Sequence, residues 1–416
     1  MNRAPIRASL RSVRRLAVAN QHLGPRRRRR SRSEEILSVV RELGFVQWDP
    51  VSIVAPSHLI SLWNRVDAFR ASDLERLLWV DKKLFEHWTP LASIVLTEDY
   101  PLYHSLMRRY PGSLSKSWGS HRIRAQRFLD DHRDLRARIL RRLREGPCTL
   151  GDFEDHARTR RNDGEWTPTS TVAHMLFHLL MSGDVMVVGH QGNQNLWGLA
   201  ERFLPSWVDQ TALSEEAAEQ EAAVRAIHAL GTATPREITL YFVRGRYANL
   251  KATLRRLEEG SRIRRVEVEG LTGREERYLL AEDEPVLDSV SSSAWEPRLS
   301  LLPPFDNMLG HIERTKRLFD FDYVREQFLP KEKRRYGTYV LPILWGERFI
   351  GRIDPRLDKA RGELAIQAVH AEPGAPRDRE VVAEIGATIE RFASFLGASR
   401  VSYSGRVPAI WKGTLR

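Results

Sequence analysis

The chain has 416 residues, a formal net charge of +12 and one cysteine, Cys148. This length predicts several domains, and a hydrophobic content of 42% is sufficient for globular folding. The lone cysteine excludes an internal disulfide and a cysteine-based zinc site, and no apolar run reaches the roughly 18 residues of a membrane span.

The positive charge is carried almost entirely by arginine, which makes nucleic acid the first candidate partner and an anionic membrane surface the second. Forked guanidinium groups make bidentate contacts with phosphate, and this favours DNA. A high-GC genome also replaces lysine with arginine, so composition alone leaves both explanations open. The cysteine usage fits a reducing cytoplasm, and no apolar signal core follows the basic N-terminus.

The first predicted elements are two helices, over 9–20 and 33–43. Ser33 is the expected N-cap of the second helix, and Gly44 is its expected C-terminal stop. A dense arginine run lies between the helices, and it is either a phosphate clamp or a solvated loop.

The segment after Gly44 places an amide, Gln47, and a carboxylate, Asp49, two residues apart. In extended backbone these two side chains point to the same side, and Pro50 biases Asp49 toward an extended conformation. Such a pair can hold one water, because the carboxylate can accept its proton and can stabilise a developing cation. The alternative is a polar turn in which Asp49 caps the following segment.

Further along, a helix, a glycine stop and a strand hairpin follow one another twice, which is the pattern of a winged helix-turn-helix. The first set is a helix over 169–182, Gly183, and strands over 185–188 and 195–199. The second set is a helix over 247–259, Gly260, and strands over 262–268 and 274–280. Other predicted helices cover 56–66, 71–80, 130–146, 215–230 and 235–242, and a partly extended apolar segment covers 83–97.

After Glu296 the pattern changes to antiparallel strands over 339–344, 348–354 and 363–369, followed by a helix over 379–396. The sequence therefore predicts an α+β protein in which tandem winged helix-turn-helix units precede a β-rich C-terminal domain. The expected domains are a winged-helix-like unit with the Gln-x-Asp motif (1–125), a second winged helix (126–210), a third (211–290) and the β-rich domain with its terminal helix (291–416).

Several short motifs are spread through most of the chain, and their combination is characteristic of a protein family. They are Leu-Gly-Phe-Val-Gln-Trp-Asp-Pro-Val over 43–51, Ser57-His58, Leu62-Trp63, Lys-Leu-Phe-Glu-His-Trp over 83–88, Leu-Pro-Pro-Phe-Asp over 302–306, Phe-Asp-Phe-Asp-Tyr over 319–323, Lys-Arg-Arg-Tyr-Gly over 333–337 and Val-Leu-Pro over 340–342. On these residues the chain resembles the YcaQ/AlkZ-like family of winged-helix DNA glycosylases.

The resemblance implies three tandem winged helices and a β-rich region that wrap double-stranded DNA. It implies removal of N7-alkylguanine and unhooking of interstrand crosslinks. The family's catalytic signature is Gln-x-Gln or Gln-x-Asp, so Gln47 and Asp49 place this chain closer to the YcaQ branch and are its expected catalytic residues. The enzyme is expected to be a cytoplasmic, nucleoid-associated monomer without cofactor, metal or membrane partner.

Seven arginines are candidate DNA contacts, with a solvated surface as the alternative for each. They are Arg26, Arg27, Arg28, Arg255, Arg256, Arg334 and Arg335. His174 and His178 share a helix face but lack a third zinc ligand, so core or interface positions are expected. Structural roles are also expected for Glu86, His87 and Asp306.

Two other functions compete with a glycosylase. A non-catalytic winged-helix regulator would use a recognition helix and dimerise on palindromic sites, but the chain has no dimerisation zipper and a regulator does not need Gln47 and Asp49. A nuclease that cleaves phosphodiesters would need a carboxylate cluster for metal, and no such cluster is evident in the sequence.

Overall fold

The structure is a computed structural model that describes residues 4–25, 31–49, 53–115, 118–153, 170–271, 275–291, 295–413 and 415. Within these ranges the chain contains both helices and strands, and most of the strand pairs are antiparallel, which confirms the α+β prediction. A search of the same residues finds no helix that is both long and apolar enough to span a membrane.

The first half of the chain contains helices interleaved with short strands. In chain order these are β1 (Ile6–Ser9), α1 (Leu10–Asn20), α2 (Arg32–Leu43), β2 (Val46–Gln47), α3 (Ser57–Trp63), α4 (Ala71–Glu75), β3 (Leu84–Trp88), β4 (Ala92–Leu96), α5 (Tyr100–Arg108), α6 (Gly119–Asp131), α7 (Arg133–Glu145), α8 (Thr171–Ser182), β5 (Val185–Gln191) and β6 (Gln194–Leu199).

The second half begins with helices and ends in a sheet. Its elements are α9 (Ala200–Phe203), α10 (Glu215–Leu230), α11 (Pro235–Tyr241), α12 (Leu250–Glu259), β7 (Ile263–Glu269), β8 (Tyr278–Leu280), α13 (Glu284–Ser291), β9 (Leu299–Leu301), α14 (Ile312–Phe319), β10 (Leu341–Trp345), β11 (Arg348–Asp358), β12 (Glu363–Ala371), α15 (Arg379–Phe395) and β13 (Arg400–Arg406).

Contacts divide the chain into two compact units. Unit 1 comprises Met1–Arg70, Ile227–Glu237 and Ser261–Arg416, and unit 2 comprises Ala71–Ala226 and Ile238–Gly260. The four-domain division drawn from the sequence is not tested by this separation and stays a prediction.

A five-stranded sheet of order β13-β12-β11-β10-β9 lies at the centre of unit 1. β10 and β11, and β11 and β12, pair in antiparallel register, as predicted. β9, which was not predicted, is also antiparallel to β10, whereas β13 joins β12 in parallel. Aliphatic side chains of the sheet and of α15 form one buried core, to which Ile60 of α3 also belongs. Through Ile60, the helix that follows the Gln-x-Asp segment is anchored on this sheet.

A second core of unit 1 is built from α1, α13 and α14, with Val13, Leu16 and Leu318 fully buried. Beside it β1 runs parallel to β7, which pairs with β8 in antiparallel register. β1 was not predicted from the sequence, because an alternation of only four residues is too short to indicate a strand.

Unit 2 contains the first predicted winged-helix pattern. α7 and α8 pack through Ile139, Leu143 and Leu179, and α8 ends at Gly183, whose φ of 78° lies in the left-handed region. β5 and β6 then pair in antiparallel register from Val185 opposite Leu199. Helix, glycine stop and hairpin therefore follow one another as the sequence indicated.

The structure corrects three details of the sequence analysis. The predicted helix over 71–80 is α4 followed by the π-helical turn Arg76–Val80. The unpredicted α6 buries only Ala125, so it has no clear apolar face to detect. After α12 the left-handed residue is Ser261, with a φ of 56°, and Gly260 has a φ of −75°.

Candidate active site

The segment that carries Gln47 and Asp49 is positioned by α2. This helix starts with a capping box in which the Ser31 hydroxyl accepts the Glu34 backbone N–H and the Glu34 carboxylate accepts the Ser31 N–H. The N-cap is therefore Ser31 and not Ser33, which lies inside the helix. Gly44 ends the helix, as predicted. Its φ of 77° lies in the left-handed region and turns the chain into β2.

Asp49 is a buried carboxylate, with 6% of its surface exposed. The Ser57 hydroxyl, on the first residue of α3, donates a hydrogen bond to Oδ2 of Asp49 at 3.1 Å. The N-cap position of α3 itself is occupied by Pro56. This hydrogen bond fixes the orientation of the carboxylate.

Tyr339 lies two residues before β10 and extends this chain of hydrogen bonds. Its hydroxyl lies 3.1 Å from Oγ of Ser57 and 3.3 Å from the Ala55 carbonyl oxygen. Burial, together with the nearby Asp49 charge, raises the pKa of Tyr339 well above its ordinary value. The phenol therefore keeps its single proton, which either the Ala55 carbonyl oxygen or Oγ of Ser57 can accept, while the proton of Ser57 is directed to Asp49.

Gln47 ends β2 and is half-buried. Its side-chain amide makes no hydrogen bond to another residue in the part of the chain that the structure describes. Between the two polar residues, the Trp48 ring stacks on His58 with centroids 4.2 Å apart and planes 20° apart. A fixed, buried carboxylate and an amide with hydrogen-bonding capacity thus lie on one short, braced segment.

The Asp306 carboxylate, which comes much later in the chain, helps to hold this segment in place. It forms a two-pronged ion pair with Arg65, at 2.7 and 2.8 Å, and both side chains are 0% exposed. Ser61 of α3 donates to the same carboxylate at 2.8 Å, and the next residue, Asn307, donates from Nδ2 to the Phe45 carbonyl oxygen at 3.0 Å. The expected structural role of Asp306 is thus the cross-linking of α3 to the chain before Gln47.

The remaining polar candidates lie in unit 2. Glu86 and His190 are joined by a 2.7 Å hydrogen bond, and burial raises the pKa of Glu86. His174 and His178 pack against Phe128, Tyr110 holds Nδ1 of His178 at 2.7 Å, and burial lowers the pKa of His178 to about 3. These contacts are those of core and interface residues.

The candidate DNA contacts fall into three sets. Arg26, Arg27 and Arg28 lie outside the described residues. In unit 2, Arg255 and Arg256 are exposed on α12 and pair with Glu259 at 3.8 Å and with Glu216 at 2.9 Å. In unit 1, Arg334 donates to the Leu329 carbonyl oxygen at 2.9 Å, and Arg335 lies 5.0 Å from the Tyr336 ring centroid.

Sequence reasoning missed the partners of Asp49. Ser57 was noted only as part of a family-like motif, and Tyr339 only as the start of a strand. Tyr339 lies 282 residues from Ser57, so no local spacing signals their contact. The sequence can reveal a carboxylate with suitable chemistry, whereas its hydrogen-bonding partners are set by the tertiary fold.

Comparison with known proteins agrees with this architecture. The chain is similar over 96% of its length to all of the Streptomyces sahachiroi DNA glycosylase AlkZ, with a TM-score of 0.65 at 18% sequence identity, which supports the same fold. Residues 40–395 match the model of the family described as DNA glycosylase AlkZ-like. The matched region includes Gln47, Asp49, Ser57 and Tyr339, and most of both units. The protein is therefore a DNA glycosylase of the AlkZ-like family.

Proposed function

We propose that this glycosylase hydrolyses the N-glycosidic bond of N7-alkylguanine, including the bonds of interstrand crosslinks, and that Gln47 and Asp49 perform the reaction. The observation that carries the proposal is the buried Asp49 carboxylate, to which Ser57 donates a hydrogen bond, two residues after the half-buried Gln47. The protein acts in the cytoplasm, associated with the nucleoid, and binds double-stranded DNA as a monomer.

N7-alkylation places a positive charge on guanine and makes the base a good leaving group. A strong general acid is then unnecessary, and the remaining tasks are to stabilise an oxocarbenium-like sugar and to supply a water. A carboxylate in a water-poor site stabilises such a cation more strongly than it would in bulk water. Asp49 is buried, and the Ser57 hydrogen bond orients its carboxylate.

The bond changes balance without a further reactant. The C1′–N9 bond breaks and its electron pair neutralises the departing base, while a water oxygen forms the new bond to C1′. Asp49 accepts the proton of that water as general base. The Gln47 amide has one donor and one acceptor to orient the same water.

The protein is expected to release N7-methylguanine from duplex DNA without added metal and in excess EDTA. Among the described residues, no three His, Cys, Asp or Glu side chains converge as metal ligands. The measurement is chromatographic detection of the free base together with counting of abasic sites. Loss of release in EDTA and its restoration by Mg²⁺ or Zn²⁺ would contradict the proposal, and undamaged duplex is the control.

Binding to duplex DNA is expected to depend strongly on salt and little on sequence, because arginine contacts to phosphate release counterions. Log Kd should change with log salt with a slope near 0.9 per phosphate contacted. Three contacts would weaken binding roughly fortyfold between about 50 and about 200 mM salt.

Fluorescence anisotropy on two unrelated duplexes tests this expectation. Arg334→Ala and Arg335→Ala should each reduce the slope by about one unit if these residues contact phosphate. Arg361→Ala provides a matched control, since Arg361 is an exposed arginine outside the predicted contacts. High affinity for one palindrome that barely responds to salt would argue against this binding mode.

A further inference from the structure

We propose that Phe328 is an aromatic wedge that enters the base stack of duplex DNA beside the reacting nucleotide. This inference rests on the proposed reaction at Gln47 and Asp49, since it supplies the DNA opening that such a reaction needs. Phe328 is 67% exposed, in the segment between α14 and β10 of unit 1. A single exposed apolar side chain is common on protein surfaces, and what distinguishes Phe328 is its ordered support and the positive charge near it in the chain.

The backbone around Phe328 is fixed by a buried carboxylate. Glu326 accepts the backbone N–H groups of Arg335, Tyr336 and Gly337 at 3.0, 2.7 and 3.0 Å. The Phe328 N–H in turn donates to the Arg325 carbonyl oxygen at 3.2 Å. Because this segment is already ordered, presenting the ring to DNA costs little conformational entropy.

A second aromatic ring supports Phe328. Phe305 packs edge-on against it, with centroids 6.0 Å apart and planes 62° apart. The Arg325 guanidinium lies 5.2 Å from the Phe305 centroid, and its Nε donates to the Pro304 carbonyl oxygen at 2.8 Å. The exposed ring thus stands on a rigid base, as a wedge that pushes against stacked bases requires.

Phe305 and the loop held by Glu326 are both connected to the Gln-x-Asp segment. Phe305 precedes Asp306 and Asn307, and Asn307 donates to the carbonyl oxygen of Phe45, two residues before Gln47. The segment that Glu326 holds ends two residues before Tyr339, whose hydroxyl contacts Ser57 and through it Asp49. Phe328 is therefore connected to the Gln-x-Asp segment in two ways within unit 1: through its ring contact with Phe305, and through the loop that Glu326 holds before Tyr339.

The charge around the ring fits DNA better than an apolar protein partner. Residues 331–335 contain four cationic side chains and one carboxylate, which gives a net charge of +3. Among the described residues, Lys331, Lys333 and Arg335 have no acidic partner within 4.0 Å. Cations beside an exposed aromatic ring match phosphates beside base faces, and base–aromatic stacking tolerates any sequence.

An inserted ring would help to expose C1′ of the reacting nucleotide. C1′ of a stacked nucleotide is covered by its neighbours, so a glycosylase must unstack or displace the base before water can reach that carbon. Apolar side chains inserted at a base step replace part of the lost stacking. Phe328 can supply that replacement while the neighbouring cations hold the two strands.

The test uses a duplex in which 2-aminopurine stands next to a tetrahydrofuran abasic analogue. Binding of the wild-type protein is expected to raise 2-aminopurine fluorescence, because insertion of the ring bends the duplex at the abasic gap and reduces the stacking of the probe base on its remaining neighbour. Phe328→Ala should abolish most of that rise and weaken binding about tenfold, since it removes one base–aromatic stacking contact. Phe328→Trp should restore both signals.

Val324→Ala is the matched control, because Val324 is also apolar and exposed (47%) in the same segment. It should leave both signals unchanged. Either alanine variant should change the thermal midpoint only slightly, since both side chains are largely exposed. The tetrahydrofuran site has no N-glycosidic bond, so these readouts do not depend on whether Asp49 hydrolyses N7-alkylguanine. If the protein did not hydrolyse N7-alkylguanine, the expected fluorescence result would therefore stay the same.

Unchanged fluorescence and affinity in Phe328→Ala would overturn the wedge. Weaker binding with an unchanged fluorescence rise would also overturn it, because Phe328 would then be a groove contact. If Phe328→Ala instead abolished self-association of the free protein, seen by sedimentation, and left the DNA signals intact, the ring would belong to a protein interface.

Discussion

Asp49→Asn is expected to slow single-turnover release of N7-methylguanine by on the order of a hundredfold or more while DNA affinity stays nearly unchanged. The substitution keeps the size of the side chain and an oxygen that can still accept from the Ser57 hydroxyl. It removes the negative charge that stabilises the oxocarbenium-like sugar. It also removes the base that takes the proton from water.

Gln47→Ala is the companion variant, and a smaller loss is expected. A water that the amide no longer orients can still reach C1′ and can still be deprotonated by Asp49. Ser57→Ala provides an intermediate case, because the carboxylate keeps its charge and loses the hydrogen bond that orients it. The expected order of rates is therefore wild type, then Gln47→Ala and Ser57→Ala, then Asp49→Asn.

A structural role for Asp49 predicts the opposite outcome. If the carboxylate only caps a turn, its loss should cost about 1 kcal/mol of stability. The folded protein would then still release base at the normal rate. Thermal midpoint, DNA affinity and single-turnover rate should be measured on one Asp49→Asn preparation. A lowered midpoint with unchanged turnover would remove Asp49 from the mechanism.

Local signals in the sequence were sufficient for the elements that lead into the site. The apolar period of α2 and the glycine at its end predicted where the helix stops, and Gly44 indeed adopts the left-handed conformation. The segments of β10, β11 and β12 were predicted to be antiparallel strands, and they pair in this way. These features depend on residues a few positions apart, which is why one sequence reveals them.

Pairings between distant segments could not be predicted in the same way. The parallel addition of β13 to β12 depends on how α15 crosses the sheet, and the contact of Tyr339 with Ser57 depends on the position of that sheet beneath α3. The N-cap of α2 was misplaced by two residues, because Ser31 and Ser33 both offer a hydroxyl and the choice rests on the geometry of Glu34.

Asp306→Ala is expected to lower the free energy of unfolding by about 3–5 kcal/mol, because it leaves the Arg65 guanidinium buried without a counter-charge. Both side chains are 0% exposed, so water cannot replace the lost partner. The Ser61 hydroxyl and the Met308 backbone N–H lose their acceptor as well. Urea denaturation followed by fluorescence gives the change in free energy.

Asp358→Ala is the matched control, since Asp358 pairs with Arg361 at 3.7 Å on the surface, with 45% and 74% of the side chains exposed. An exposed pair of this kind contributes under about 1 kcal/mol. Replacing both buried partners, as in Arg65→Met with Asp306→Leu, should recover part of the loss, because no unpaired charge remains. A double variant as unstable as Asp306→Ala would show that the hydrogen bonds, and not the unpaired charge, dominate.

The same variants test whether this ion pair positions the site. Asp306 precedes Asn307, which holds the Phe45 carbonyl oxygen, so loss of the pair should shift the segment that carries Gln47. The charge-free double variant keeps Asn307 in the chain but loses the carboxylate that anchors its turn. We therefore expect its stability to recover further than its rate of base release. Equal recovery of both would limit the role of Arg65 and Asp306 to folding.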